Sequence, residues 1–181
     1  MQTFCQDAVG DWVDGGATQR AIEDICELVP TDVAPSRVDV LRAFRELPLY
    51  RGAIRTDPIA FTLVNLETYF WCADSAGRGC ELLGEGERAV TLLGQPVRIR
   101  PRIVSYDWAF GDGAGVRVEA GRAAHTYRRA GTADVTLTLT WTADYAVGSG
   151  AFQPIGDTTT TTSPARALPV REAEAVIVGD N

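Results

Sequence analysis

The chain contains no lysine; all 17 of its basic side chains are arginine. That absence excludes Schiff-base chemistry, amine nucleophiles and lysine-dependent crosslinks. Histidine is nearly as scarce, with His125 alone, so no histidine pair exists to bind a metal, and any imidazole mechanism rests on one residue. No G-x-S-x-G elbow occurs. No run approaches the roughly 18 unbroken apolar residues of a membrane span. Positive charge is also short: 24 acidic groups against 17 basic ones leave a net charge of −7. Phosphate binding depends on clustered cations, so this balance argues against a nucleic-acid partner. No basic segment followed by an apolar run opens the chain, so an exported protein would already have lost its leader.

What is present suits a folded domain. The 181 residues are 45% apolar and 23% charged, enough for one large domain, or for a sandwich of about a hundred residues with an extension. Four cysteines form an even set, Cys5, Cys26, Cys72 and Cys80. They allow three pairings. The expected one joins Cys72 to Cys80 around the small loop ADSAGRG and Cys5 to Cys26 across the N-terminus, each closure contributing about 3 kcal/mol in the chain-entropy account. A four-thiolate zinc site is the rival, but neither pair has the C-x₂₋₄-C spacing that tetrahedral sites favour. Disulfides imply an oxidising compartment.

Along the chain the hydrophobic period changes once. In ATQRAIEDICELV, Ala21, Ile22, Ile25, Cys26 and Val29 recur at helical spacing until Pro30. A second helix is signalled by Ser36 with Asp39 three residues on, a capping box, followed by Val40, Leu41, Phe44 and Leu47, and stopped by Pro48. From residue 59 the period is two. FTLVNLETYFW places Phe61 and Leu63 on one face and Val64, Leu66 and Phe70 on the other, which predicts a central strand covered on both sides or a surface for another subunit. RAVTLL, PVRIRPRI and VSYDWAF are the next three predicted strands. In the last, Val104, Tyr106, Trp108 and Phe110 face inward, and an Asp-Gly turn follows at Gly111, Asp112 and Gly113. ADVTLTLTWTADY repeats the alternation with Val135, Leu137, Leu139 and Trp141 inward and Thr136, Thr138, Thr140 and Thr142 outward. The threonine run at 158 to 162 reads either as an edge strand or as a flexible tract, and ALPVRE and AEAVIVG suggest terminal strands. The expectation is a helical extension over residues 1–58, packed on a mainly β domain over 59–181.

The stretch SYDWAFGDG followed by AHTYRRAGTADVTLTLTW resembles the PKD domain, an immunoglobulin-like β-sandwich. Its hallmarks are a WDFGDG-type strand and turn, then HTY, then a glycine and an alternating strand, found here at Trp108 to Gly113 and His125 to Tyr127 within about residues 88–143. Ala109 departs from the family's usual Asp, and strand pattern continues beyond Trp141. The resemblance implies a PKD-like sandwich with extra C-terminal strands, and a non-catalytic module that is secreted or at the cell surface and binds protein or cell-envelope polysaccharide. The alternative is a structural subunit of a homo-assembly. It also implies structural roles for Trp108, Phe110, Gly111, Asp112, Gly113, His125 and Tyr127. More loosely, LVNLETYFW is similar to secreted proteins of high-GC Gram-positive bacteria, and an arginine-only basic set suits a high-GC genome.

Several residues compete for a functional role. His125 with Asp107, Asp112 and Ser105 has the composition of a hydrolytic site, set against the structural role that the resemblance implies. No cofactor is expected. Calcium is the metal that the resemblance admits, because some PKD domains resemble cation-binding sandwiches and Asp107, Asp112 and Asp134 would offer hard oxygens; Asp112 equally fits the turn. Arg98, Arg100 and Arg102 share a strand face, either for an acidic partner or for acidic side chains across the sheet. Trp108 and Trp141 fit the core. Trp12 and Trp71 are less constrained, and Trp71, beside the Cys72 loop, is the expected contact residue.

Overall fold

A computed structural model describes residues 33–74, 76–80 and 86–173. The chain divides into two compact units, Met1–Ala34 and Pro35–Asn181, and the architecture below is that of the second. The predicted helix around residues 17–29, Cys5, Cys26, Trp12 and the AEAVIVG strand lie outside the described residues.

Helix α1, Arg37–Glu46, starts where Ser36 accepts from the Asp39 amide while the Asp39 carboxylate accepts from the Ser36 N–H, the reciprocal box that satisfies two otherwise orphaned donors. It ends at Leu47, whose extended backbone leads into Pro48. Val40 and Phe44 are fully buried in the main core, each burial contributing about 1.5–3 kcal/mol. The Arg37 guanidinium donates to the Ile155 carbonyl at 2.8 and 3.1 Å, and Arg45 pairs with Asp157 at 2.8 Å.

Among the described residues eleven strands follow: β1 Ala53–Asp57, β2 Thr62–Leu63, β3 Glu67–Ala73, β4 Arg88–Leu92, β5 Gln95–Ala109, β6 Gly115–Val118, β7 Arg122–Thr126, β8 Gly131–Val147, β9 Gln153–Pro154, β10 Thr159–Thr162 and β11 Arg166–Arg171. They form a mainly β sandwich. One sheet has three strands in the order β1-β3-β7, and the larger runs β2-β11-β8-β5-β4, with β6 added to β5 and β9 and β10 to β8. The two long strands β5 and β8 pair antiparallel over most of their lengths and form the backbone of the larger sheet. Between the sheets, Phe70 meets Trp108 and Phe110 at ring-centroid distances of 6.0 and 5.1 Å, joined by Val135, Leu137, Leu139, Trp141 and Tyr127 in one buried cluster. The alternation read in ADVTLTLTWTADY is thus realised in β8, with its threonines half-buried on the outer face.

Three expectations need correction. FTLVNLETYFW is two strands, because Asn65 adopts a left-handed φ of 63° and turns the chain. β2 pairs in parallel with β11 in the large sheet, whereas β3 lies between β1 and β7 in the small one. The doubly covered strand therefore does not exist, and Phe61 and Leu66 are exposed. Next, PVRIRPRI and VSYDWAF are one strand, β5. Pro101 is tolerated because β4 pairs with β5 only as far as Ile99, so that among the described residues no strand ladder on that side calls for an N–H at 101. A bulge between Ile103 and Ser105 shifts the alternation by one residue, so Val104 is half-buried while Tyr106 and Trp108 remain inward. Finally, residues 53–57, assigned to the helical extension, form β1; its inward pair is Ile54 and Thr56, and a threonine does not announce a buried face.

Candidate functional site

The three-stranded sheet turns one face to the core and the other to solvent. In β3, Thr68, Phe70 and Cys72 point inward, so Glu67, Tyr69 and Trp71 point outward. Register then sets their neighbours. Arg55 of β1 and Arg122 of β7 both lie opposite Trp71, forming a cation–indole–cation rank across three strands. The next rank is Asp57, Tyr69 and Ala124, and Glu67 lies opposite Thr126. Alanine at position 124 leaves the phenol ring uncovered, and Tyr69 is 52% exposed. A cleft of about 330 Å³ opens on this face, lined by Asp57, Tyr69, Phe70, Trp71, Arg122 and Ala123, at the small end of the size range of ligand clefts. The Tyr69 hydroxyl donates to the Glu67 carboxylate, and that hydrogen bond with the neighbouring charge raises the phenol above its ordinary range.

The face is held rigid from behind. Cys72 and Cys80, both buried, form a disulfide with Cα atoms 5.3 Å apart. Inside the loop it closes, Asp74 accepts from the backbone N–H groups of Ala76 and Arg78 at 2.8 Å each and from the Arg78 guanidinium at 2.8 Å. Burial raises the Asp74 carboxyl, but these donors outweigh it and hold the group below the usual carboxylate range. Behind the sheet edge, Arg166 of β11 donates to the carbonyls of Ile54 and Ile59 and to the Thr56 hydroxyl, tying the small sheet to the large one.

His125 occupies the inner side of β7. Its ring stacks on Phe110 at 4.3 Å and meets Tyr127 edge-on at 4.7 Å, and its Nε2 lies 2.7 Å from an Asp112 oxygen. Burial raises the Asp112 carboxyl, but the His125 bond and the Ala114 amide outweigh it and lower it overall. Burial, then the Asp112 charge, raises the Tyr127 phenol, whose hydroxyl donates to the Phe110 carbonyl at 3.0 Å. Gly111, at φ 81°, passes so close to β8 that a Cβ there would meet the Asp134 nitrogen at 2.5 Å. Trp108 to Gly113, His125 and Tyr127 therefore form one locked corner.

Other candidates are dispersed. Ser105 and Asp107 are on the outer face of β5, where Asp107 pairs with Arg117 of β6. They do not join His125 in a hydrolytic arrangement. Two of the three aspartates proposed for calcium are engaged, Asp107 by Arg117 and Asp112 by His125, and no cluster of three or more metal-ligating side chains occurs among the described residues. Arg98 and Arg100 share the Phe152 ring, at 4.9 and 3.6 Å, and the Glu87 carboxylate, while Arg102 is exposed. Trp141 is buried, with its Nε1 donating to Thr161 at 2.9 Å. It forms part of a second cleft of about 680 Å³ with Leu47 to Gly52, Arg88, Pro101 and Pro164; His125 is not among the residues lining it. Of the sequence candidates, Trp71 alone lies on the aromatic face. Arg55, Tyr69 and Arg122 were missed, although Tyr69 shares Trp71's alternation.

Residues 85–150 match the family model of the PKD domain, rather more than a third of the chain, from just ahead of β4 to just beyond β8. No curated protein matches the chain.

Proposed function

We propose that the chain is a non-catalytic extracellular contact module, and that it meets its partner, a glycan or a protein, on the outer face of the three-stranded sheet. The observation that carries this reading is the adjacent pair Tyr69 and Trp71, standing on a sheet backed by a disulfide. Rigid amphipathic aromatics lose little entropy on binding and recur at interface centres. The PKD match over residues 85–150 supports an interaction role, because that domain is generally a non-catalytic module of extracellular proteins. The Cys72–Cys80 bridge supports an oxidising compartment. His125 supports no chemistry of its own, being committed to Phe110, Asp112 and Tyr127.

The test is a screen of the protein against glycan and extracellular-protein arrays, beside Tyr69→Ala and Trp71→Ala. Retained ligands should be lost by both variants at unchanged thermal midpoint. Ligands retained equally by wild type and both variants would place binding elsewhere.

A second reading, a subunit of a surface assembly, is favoured by the exposed Ile59, Phe61 and Leu66 at 75%, 37% and 41%. Solution mass that grows with concentration supports it; a monomer at high concentration removes it.

A further inference from the structure

We infer that the ligand of the small sheet's outer face is an acidic glycan, a polymer of uronic acids, whose carboxylates bind Arg55 and Arg122 while the sugar rings stack on Trp71 and Tyr69. This deepens the contact reading and rests on it.

Charge is the first ground. In a chain of net charge −7, two arginines flanking one indole form a local positive site within an overall negative field. Five other arginines are already engaged by groups of the chain itself: Arg37 by Ile155, Arg45 by Asp157, Arg100 by Glu87, Arg117 by Asp107 and Arg166 by the β1 edge. Arg55 and Arg122 are exposed, and among the described residues no ion pair engages either. A guanidinium presents a planar fork of donors that matches a carboxylate.

Spacing is the second ground, and it selects a uronic acid over a phosphate polymer. Adjacent strands lie about 4.8 Å apart, so each arginine stands one strand from Trp71. A hexuronic acid suits this spacing because its carboxylate is attached directly to the pyranose ring, so that one ligand residue supplies both the stacking ring and the acid.

Polarity along β3 is the third ground. Asp57 shares the Tyr69 rank, two residues from Arg55, and Glu67 lies one rank further on, opposite Thr126. They repel a carboxylate and accept from hydroxyls, so the acid is directed to the Trp71 rank and the hydroxyl edge to the Tyr69 rank.

The experiment is calorimetric titration with tetramers of galacturonate, mannuronate and glucuronate and with their carboxyl-reduced counterparts, at low and near-physiological salt. At least one uronate should bind about tenfold tighter than its reduced form, and the gap should narrow with salt. The double variant Arg55→Gln, Arg122→Gln should erase the preference and keep the weak neutral binding, while Trp71→Ala should abolish both at an unchanged thermal midpoint. A reduced tetramer that binds wild type as well as its acid overturns the uronate inference and leaves the aromatic face standing. Binding by neither class overturns the inference, and the arrays then decide the contact reading separately.

Discussion

Gly111 and Gly113 both have left-handed backbones, with φ of 81° and 92°, yet their surroundings differ. A Cβ on Gly113 meets nothing within 4 Å, whereas one on Gly111 would stand 2.5 Å from the Asp134 nitrogen and 2.8 Å from its carbonyl oxygen. Gly113→Ala therefore costs only the left-handed penalty, about 1 kcal/mol. Gly111→Ala adds a collision that can be relieved only by moving the start of β8, where Val135 is fully buried; overpacking of this kind costs about 1–3 kcal/mol more. At roughly 3 °C per kcal/mol for a unit of this size, calorimetry should show Gly113→Ala melting about 3 °C below wild type and Gly111→Ala about 10 °C below. Equal losses would refute the claim that the turn is pressed against β8.

Tyr127→Phe leaves the Phe110 carbonyl buried without its donor, so a loss of about 1–2 kcal/mol is expected in urea at unchanged slope; a loss below about 0.5 kcal/mol would mean the hydroxyl is not holding the corner. The depressed Asp112 carboxyl contributes stability that is present above its unfolded value near 3.9 and disappears as pH falls through the lower folded value. Wild type should therefore exceed Asp112→Asn in urea midpoint at pH 6 and converge on it below about pH 4, while a gap independent of pH would contradict the assignment. Leu93 sits exposed at φ 50° before Gly94 in the two-residue turn between β4 and β5. Leu93→Asn suits that turn and should raise the thermal midpoint by about 2 °C; a fall would show the leucine side chain to be needed.

Much of the sandwich was legible because β8 is long and strictly alternating, so that Val135 to Trp141 declare a buried face without tertiary help. The α1 boundaries were equally local, set by Ser36, Asp39 and Pro48. Local pattern failed where a backbone event changed its phase. Asn65 breaks an apolar run that looks continuous, and the bulge after Ile103 shifts β5 by one residue, so that one strand reads as two. The aromatic face was half legible. Trp71 and Tyr69 are two apart in one strand, but Arg55 and Arg122 lie 16 and 51 residues from Trp71 and reach it only through strand pairing.

The contact face is tested most directly by mapping backbone amide shifts in the isotope-labelled protein as it is titrated with whichever glycan or protein the arrays retain. Shifts concentrated on Arg55, Asp57, Tyr69, Trp71, Arg122 and Ala124, with Thr136 to Thr142 unmoved, are the expected result. Shifts concentrated on those threonines, or around Arg98 and Phe152, would contradict it.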